Sequence, residues 1–247
     1  MNLFLDPLTR HEVSGAGELF LRPNYPVSAC FNGYNLDKTL QQKVHINPAE
    51  AVKVTHNKTA LMQALNMHGV PVPTFADPAK MYTRDGSFNL ESYTDKFPET
   101  EDGFVRFMSR GVQSQIHDLA DLMNVLKLLK NHQQGSVFQK ATGGETVSTV
   151  TAIPNAPKQL FTGAEKFVTN GILSDTLPSF VKDKDEAFEV ASKAIDMLNL
   201  DYATVTLSMS EEGLKVIDVN TNLRPQDAIA IRGMMDKMAK ASATKKK

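Results

Sequence analysis

Two apolar strands near the end of the sequence constrain the fold more than any other feature. The segments "DYATVTLSM" (201–209) and "LKVIDVN" (214–220) are rich in Val, Ile and Thr and alternate between apolar and polar residues, which is typical of β-strands. The residues between them, "SEEG", end in Gly213, and a short glycine-containing connection predicts a β-hairpin. Strands and helical patterns alternate irregularly along the rest of the chain, which favours an α/β or α+β fold.

The hairpin also predicts a polar face. Because side chains alternate with a period of two, Val216, Asp218 and Asn220 are expected on one face of their strand. The hydroxyl groups expected on one face of the partner strand are those of Thr204, Thr206 and Ser208. Carboxylate and amide oxygens suit Mg²⁺, which typically uses one or two carboxylates together with substrate phosphates. The alternative is a half-solvated sheet whose polar face simply contacts water.

Several other segments have the periodicity of helices. Residues 57–68 begin with asparagine, a good N-cap, and Gly69 supplies a stop. Residues 119–130 follow an aspartate cap, residues 184–199 have an apolar face, and residues 46–52 predict a turn that leads into a brief helix. The apolar stripe of the second helix consists of Leu119, Leu122, Leu126 and Leu129.

Composition limits the classes of partner. The 247 residues are 41% hydrophobic and carry a formal net charge of −1, so neither nucleic acid nor a membrane surface is expected as the main partner. No apolar run reaches the ~18 residues of a membrane span, and the first residues lack a signal-peptide pattern. Cys30 is the only cysteine, which excludes an internal disulfide. We expect a cytoplasmic protein.

Two central segments carry polar groups inside apolar strands. Arg106 interrupts the strand "FVRFM", where a charge either reaches solvent from an edge strand or faces an anionic ligand. The strand "VFQK" ends in Gln139 and Lys140, and Glu145 follows the break at Gly143–Gly144. These residues suit a nucleotide, with the strand's main chain at a base edge. They equally suit an ordinary hairpin with a glycine turn.

In their order along the chain, these segments resemble the ATP-grasp superfamily of carboxylate–amine ligases. The segment 56–75 is similar to the family's "DK…L…GIPvP" region, and 102–112 to its phosphate-covering strand and turn, with Arg at the usual Lys position. The segment 137–145 is similar to the hinge strand that holds adenine, and 198–225 to the final hairpin that ends in "E-V-N-t-x-P". The segments "INPAEAV…NK" and "VR" most resemble small ATP-grasp proteins encoded by bacterial viruses, and a viral origin would place the protein in the host cytoplasm.

The resemblance implies ATP and Mg²⁺ as cofactors and a role for eight residues. The implied roles are phosphate binding for Lys58 and Arg106, adenine binding for Gln139 and Lys140, ribose contact for Glu145, Mg²⁺ binding for Asp218 and Asn220, and a catalytic contact to an acyl phosphate or substrate carboxylate for Arg224.

The implied reaction is ATP-dependent ligation in two steps. ATP phosphorylates a small-molecule or peptide carboxylate, and an amine then displaces phosphate from the acyl phosphate; a homo-oligomer is compatible with this reading. Thr206 stands where the family usually has an acidic metal ligand, and Asp218 replaces the usual Glu. These departures keep open the alternative that the chain is a degenerate ATP-grasp protein, which binds nucleotide or a protein partner without catalysis. An unrelated α/β protein with the same order of segments is a third alternative.

The resemblance also implies a domain organisation. The predicted fold class is α+β, in which two α/β subdomains hold the nucleotide between them after a short N-terminal region. The predicted divisions are an N-terminal region at 1–75, a lid subdomain at 76–135, a C-terminal nucleotide- and metal-binding subdomain at 136–235, and a tail at 236–247.

Overall fold

The computed structural model describes most of the chain between residues 44 and 221, together with two short N-terminal segments. The described residues are 2–5, 28–31, 44–98, 103–109, 112–132, 135–141, 146–152, 161–162, 166–169, 172–174, 184–200, 203–210 and 212–221. Two of the predicted site residues, Glu145 and Arg224, lie outside them, as do the predicted break at Gly143–Gly144 and the predicted tail at 236–247.

The elements follow one another along the chain as strands and helices in mixed order. The described strands are β1 (Asn2–Leu5), β2 (Ser28–Phe31), β3 (Val44–Ile46), β4 (Phe75–Ala76), β5 (Phe104–Ser109), β6 (Val112–Ile116), β7 (Val137–Ala141), β8 (Thr146–Ala152), β9 (Phe161–Thr162), β10 (Lys166–Thr169), β11 (Ile172–Ser174), β12 (Ala203–Ser210) and β13 (Gly213–Asn220). The described α-helices are α1 (Ala49–His56), α2 (Lys58–Met67), α3 (Leu90–Lys96), α4 (Leu119–His132) and α5 (Lys184–Met197), with a 3₁₀ helix at Pro78–Met81.

The strands form three sheets. Strands β1, β2 and β3 pair in parallel at the N-terminal end. A four-stranded antiparallel sheet, here called the lid sheet, has the order β4-β7-β5-β6. A larger antiparallel sheet, here called the large sheet, has the order β11-β10-β8-β12-β13, with β9 also paired to β8. This mixture of helices and sheets confirms the predicted α+β class.

The segment 136–152 is not a hairpin. Strand β7 pairs with β4 and β5 in the lid sheet, whereas β8 pairs with β9, β10 and β12 in the large sheet. The chain therefore passes from one sheet to the other between residues 141 and 146, and the hairpin alternative is excluded. The lid sheet also contains residues from both sides of the predicted subdomain boundary at 135/136, and that boundary stays a prediction.

Local capping explains where the predicted helices begin and end. The Asn57 side chain accepts a hydrogen bond from the Ala60 N–H at 3.0 Å, which fixes the start of α2. Gly69 ends that helix in the left-handed region, with φ of 66°. The Asp118 carboxylate accepts a hydrogen bond from the Asp121 N–H at the start of α4. These helices and their caps are confirmed, as is the brief helix after residues 46–48, now α1.

Two hydrophobic clusters hold the sheets and helices together. Helices α2 and α5 cover one face of the large sheet, where Leu61, Leu65, Ile195, Val205 and Val219 are buried. Under α3 and α4, the lid sheet has an aromatic cluster centred on Phe138, whose neighbouring rings are Phe88, Tyr93, Phe97 and Phe107.

Some expectations about regular structure need correction. The segment between β4 and β5 contains a 3₁₀ helix and α3, neither of which the sequence patterns predicted; Asn89 caps α3 and Tyr93 anchors it in the aromatic cluster. Strands β9, β10 and β11 were likewise not predicted from the sequence. Leu119 is 57% exposed rather than part of the buried stripe of α4, since it lies at the first helical position, beyond the covered face.

A β-bulge changes which residues of β13 share a face. Thr206 is opposite Asp218 and Leu207 is opposite Val216, so Ile217 has no partner in the ladder. One extra residue reverses the alternation beyond it. Val216 and Val219 therefore both join the core under the large sheet, and the prediction that Val216 shares a face with Asp218 is wrong.

Candidate functional site

The face of the large sheet opposite its hydrophobic core is polar, as the sequence predicts. Across the ladder, Thr206 is opposite Asp218 and Thr204 is opposite Asn220. Directly opposite residues lie on the same face of an antiparallel pair, so the hydroxyls and the two predicted metal ligands are neighbours. The hydroxyl face therefore lies beside Asp218 and Asn220, as expected.

Lys58 and Asp218 form an ion pair although they are 160 positions apart in the sequence. The Lys58 Nζ lies 2.6 Å from the Asp218 Oδ1, and the two side chains are only 12% and 17% exposed. The predicted phosphate-binding lysine and the predicted metal-binding carboxylate are thus in direct contact. Neither pattern alone indicated this pairing.

The backbone of Lys58 is anchored to the residues that precede β7. The Lys58 N–H donates to the Gly135 carbonyl at 2.7 Å, and the Thr59 hydroxyl donates to the Ser136 carbonyl. Gly135 has φ of 80°, and a Cβ there would lie 3.2 Å from the Asn57 Cα. A glycine is therefore needed for this approach. Its role in positioning Lys58 could not be read from the sequence, where Gly135 resembles a simple terminator.

Gln139 connects the lid sheet to the large sheet. Its side chain is fully buried, and its Nε2 donates to the Ile217 carbonyl at 2.9 Å and contacts the Met62 Sδ at 3.1 Å. The bulge leaves Ile217 without an opposite residue in β12, and Gln139 hydrogen-bonds to the carbonyl of this bulged residue. The side-chain nitrogen is thus used within the protein, and the main chain of Gln139 lies between β4 and β5, with which β7 pairs on its two sides.

Arg106 is buried beside Gln139. The two residues are opposite each other in the β5–β7 ladder, and the guanidinium lies 5.6 Å from the centre of the Phe104 ring. Arg106 is 2% exposed, and this burial lowers the pKa of its guanidinium to about 10. A cation in so dry a position interacts strongly with any anion placed against it.

Lys140 lies where the lid sheet meets the polar face of the large sheet. Its N–H donates to the Thr74 carbonyl at 2.8 Å, and it lines a small cleft together with Ser208, Glu212 and Lys215. The pKa of the Glu212 carboxyl is lowered mainly by a hydrogen bond from Lys215, with a smaller contribution from the charge of Lys140. The predicted adenine-binding lysine is therefore next to the large sheet.

A groove of about 490 Å³ opens at the end of β7, beside helices α3 and α4. Lys140 and Ala141 lie at one side of it, and Tyr93, Phe97 and Phe104 give it an apolar and aromatic wall. Burial raises the pKa of the Tyr93 hydroxyl well above its usual value. Ligand pockets of this size, with apolar walls and a few polar groups, are typical of sites for small molecules.

The oxygen ligands on β13 fit one divalent cation. Asp218 and Asn220 lie two positions apart on the polar face, with Thr206 opposite Asp218. Within the described part of the chain, no group of three or more His, Cys, Asp or Glu side chains is placed to hold a metal. One carboxylate and one amide oxygen are enough for Mg²⁺ only when substrate phosphates and water supply the other ligands.

Comparison with known proteins gives a fold but no sequence relative. No protein-family model and no curated protein sequence matches this chain. Among solved structures, D-alanine–D-alanine ligase from Bacillus anthracis matches with a TM-score of 0.62 and 15% identity, over 98% of this chain and 86% of that one. N5-carboxyaminoimidazole synthetase from Staphylococcus aureus, complexed with ADP, matches with a TM-score of 0.61 and 13% identity, over 93% of this chain and 72% of that one.

A third similar structure contains ATP. Carboxyaminoimidazole ribonucleotide synthase from Aspergillus clavatus, complexed with ATP, matches with a TM-score of 0.58 and 12% identity, over 90% of this chain and 70% of that one. These structural matches confirm the predicted architecture: this chain has the ATP-grasp fold. None of the helices in the described ranges has the length and apolar character to span a membrane.

Proposed function

We propose that this protein is an ATP-dependent carboxylate–amine ligase that works through an acyl phosphate. The observation that carries the proposal is the ion pair between Lys58 and Asp218 on the polar face of the large sheet. The lid sheet, which contains Arg106, lies next to it. In an ATP-grasp fold, this combination of cations and a carboxylate suits the phosphates of a nucleotide. Arg224, Glu145 and the identity of both substrates belong to the same proposal.

The described residues suggest how ATP would be bound. The groove at the end of β7 is large enough for the base, and Lys140 and Ala141 line it. From there the phosphates would extend over β12 and β13 toward Lys58. Arg106 is buried in the present arrangement, so a phosphate would reach it only when the two sheets separate.

The protein's own residues would then stabilise phosphoryl transfer. Lys58 and Arg106 would neutralise negative charge on the phosphates, and the lid sheet would exclude water from the acyl phosphate. Asp218 and Asn220 would hold Mg²⁺. A bound Mg²⁺ would supply further charge neutralisation for the transferring phosphoryl group.

The proposal is tested by the thermal unfolding midpoint with and without ATP and Mg²⁺. Ligand at about 100 times its Kd stabilises a native protein by about 2.7 kcal/mol, which corresponds to roughly 5–10 °C for a chain of this size. We expect the rise to shrink in Asp218→Ala and to persist in Asp196→Ala, because Asp196 is exposed on α5, away from the polar face. No rise in the unmodified protein at millimolar ATP would contradict the proposal.

Thr206 favours a second candidate, a nucleotide-binding protein without catalysis. A hydroxyl is a far weaker Mg²⁺ ligand than a carboxylate, and Thr206 is directly opposite Asp218. The variant Thr206→Asp separates the candidates when phosphate release is measured with mixtures of carboxylates and amines. Turnover by the unmodified protein favours the ligase. Nucleotide binding without turnover in either protein favours the second candidate.

A further inference from the structure

We infer that Lys58 closes the Asp218 carboxylate to divalent cations until the phosphates of a nucleotide draw its ammonium group away. The chain would therefore bind a metal ion only after, or together with, the nucleotide. The second half of this inference rests on the proposed function. The first half concerns the protein alone and can be tested without any nucleotide.

The ion pair occupies the position that a metal would need. The Lys58 Nζ is 2.6 Å from the Asp218 Oδ1, and Asp218 is the one carboxylate on the described polar face beside Asn220 and Thr206. A cation that approaches this oxygen meets an ammonium group of the same sign at contact distance. It must displace the ammonium before it can bind this oxygen.

Limited exposure makes that displacement costly. Both side chains are mostly buried, at 12% and 17% exposed, so water screens the pair less than it screens an ion pair on an open surface. The contrast is with Lys53 and Glu50 on α1, an ion pair of similar length whose side chains are 53% and 83% exposed. Displaced from Asp218 with no anion nearby, the Lys58 ammonium would be left poorly solvated.

Only the end of the Lys58 side chain is free to change partner. Its backbone is fixed by the hydrogen bond to Gly135 and by the cap at the start of α2, whereas four rotatable methylene groups carry the ammonium. An ammonium has three donors, so phosphate oxygens could replace the carboxylate as its partner. The nucleotide would thus supply both the new partner for Lys58 and further ligands for the metal.

The test is a titration with Mn²⁺ in the absence of nucleotide, followed by the electron paramagnetic resonance signal of free Mn²⁺. We expect Lys58→Met, which keeps the length of the side chain and removes its charge, to bind Mn²⁺ at least about tenfold more tightly than the unmodified protein. Lys58→Arg, which retains a cation, should bind as weakly as the unmodified protein. Lys53→Met is the matched control and should change nothing. The tighter binding should disappear in Lys58→Met/Asp218→Asn.

Three results would overturn the inference. They are equal Mn²⁺ affinity in Lys58→Met and the unmodified protein, tighter binding that survives Asp218→Asn, and micromolar Mn²⁺ binding by the unmodified protein alone. The last needs no variant, so the test holds even if Lys58→Met fails to fold. If ATP produces no thermal shift but Lys58→Met gains Mn²⁺ binding, the proposed function fails. The inference that Lys58 blocks metal binding at Asp218 is then still supported.

Discussion

Replacing Gln139 with leucine removes the amide that joins the two sheets. The fully buried Gln139 Nε2 donates to the Ile217 carbonyl at 2.9 Å, and leucine has a similar size but no donor. The loss comprises a hydrogen bond, worth about 1 kcal/mol, and the cost of a buried acceptor without a partner, about 1–3 kcal/mol. The buried Gln139 Oε1 has no hydrogen-bond partner among the described residues. Its removal therefore offsets part of the loss in stability.

We therefore expect Gln139→Leu to lower the free energy of unfolding by about 2 kcal/mol. For a chain of this size, that corresponds to a fall of about 4–8 °C in the thermal midpoint. The matched control is Gln113→Leu, because Gln113 is exposed on β6 and its replacement should shift the midpoint by little. Equal midpoints for the two variants would refute the claim that Gln139 satisfies the bulge carbonyl.

Three further predictions concern the framework around the site. Gly135→Ala should lower the thermal midpoint more than Gly86→Ala: both glycines have positive φ, but only at Gly135 would a Cβ crowd the Asn57 Cα. Asn57→Ala should cost about 1 kcal/mol in urea unfolding, because the cap bond to Ala60 is lost; an unchanged urea midpoint would contradict the cap. Phe138→Ala should cost about 3–5 kcal/mol by the same measurement, because it leaves a cavity among packed aromatic rings; a loss below about 1 kcal/mol would show that the cluster is not central.

Local signals in the sequence were sufficient to predict where several helices and one turn begin or end. The caps at Asn57 and Asp118, the left-handed Gly69, and the turn at Gly213 act within a few residues of themselves. The elements that they delimit could therefore be predicted from short segments. Strand alternation placed Thr204 and Thr206 on one face of their strand and Asp218 and Asn220 on one face of theirs. The rows Thr206–Asp218 and Thr204–Asn220 depend on the bulge, because the turn alone would place Thr206 opposite Ile217.

Long-range features could not be predicted in the same way. Nothing in "KVIDVN" marks the bulge at Ile217, and the hydrogen bond from Gln139 to the Ile217 carbonyl comes from another sheet. The pairing of Lys58 with Asp218 connects residues 160 positions apart, so no local pattern contains it. Likewise, the sequence alone did not decide whether 136–152 is an ordinary hairpin or a nucleotide-binding strand. That β7 and β8 belong to different sheets depends on strands far from them in the sequence.

The central claim, that ATP lies between the lid sheet and the large sheet, is tested most directly by hydrogen–deuterium exchange with and without ATP and Mg²⁺. We predict slower exchange in peptides that contain the end of β7, at Gln139–Ala141, and the end of β13, at Asp218–Asn220. Exposed amides at the start of α5 should be unaffected. Protection confined to other parts of the chain, or no protection at saturating ATP, would contradict the claim.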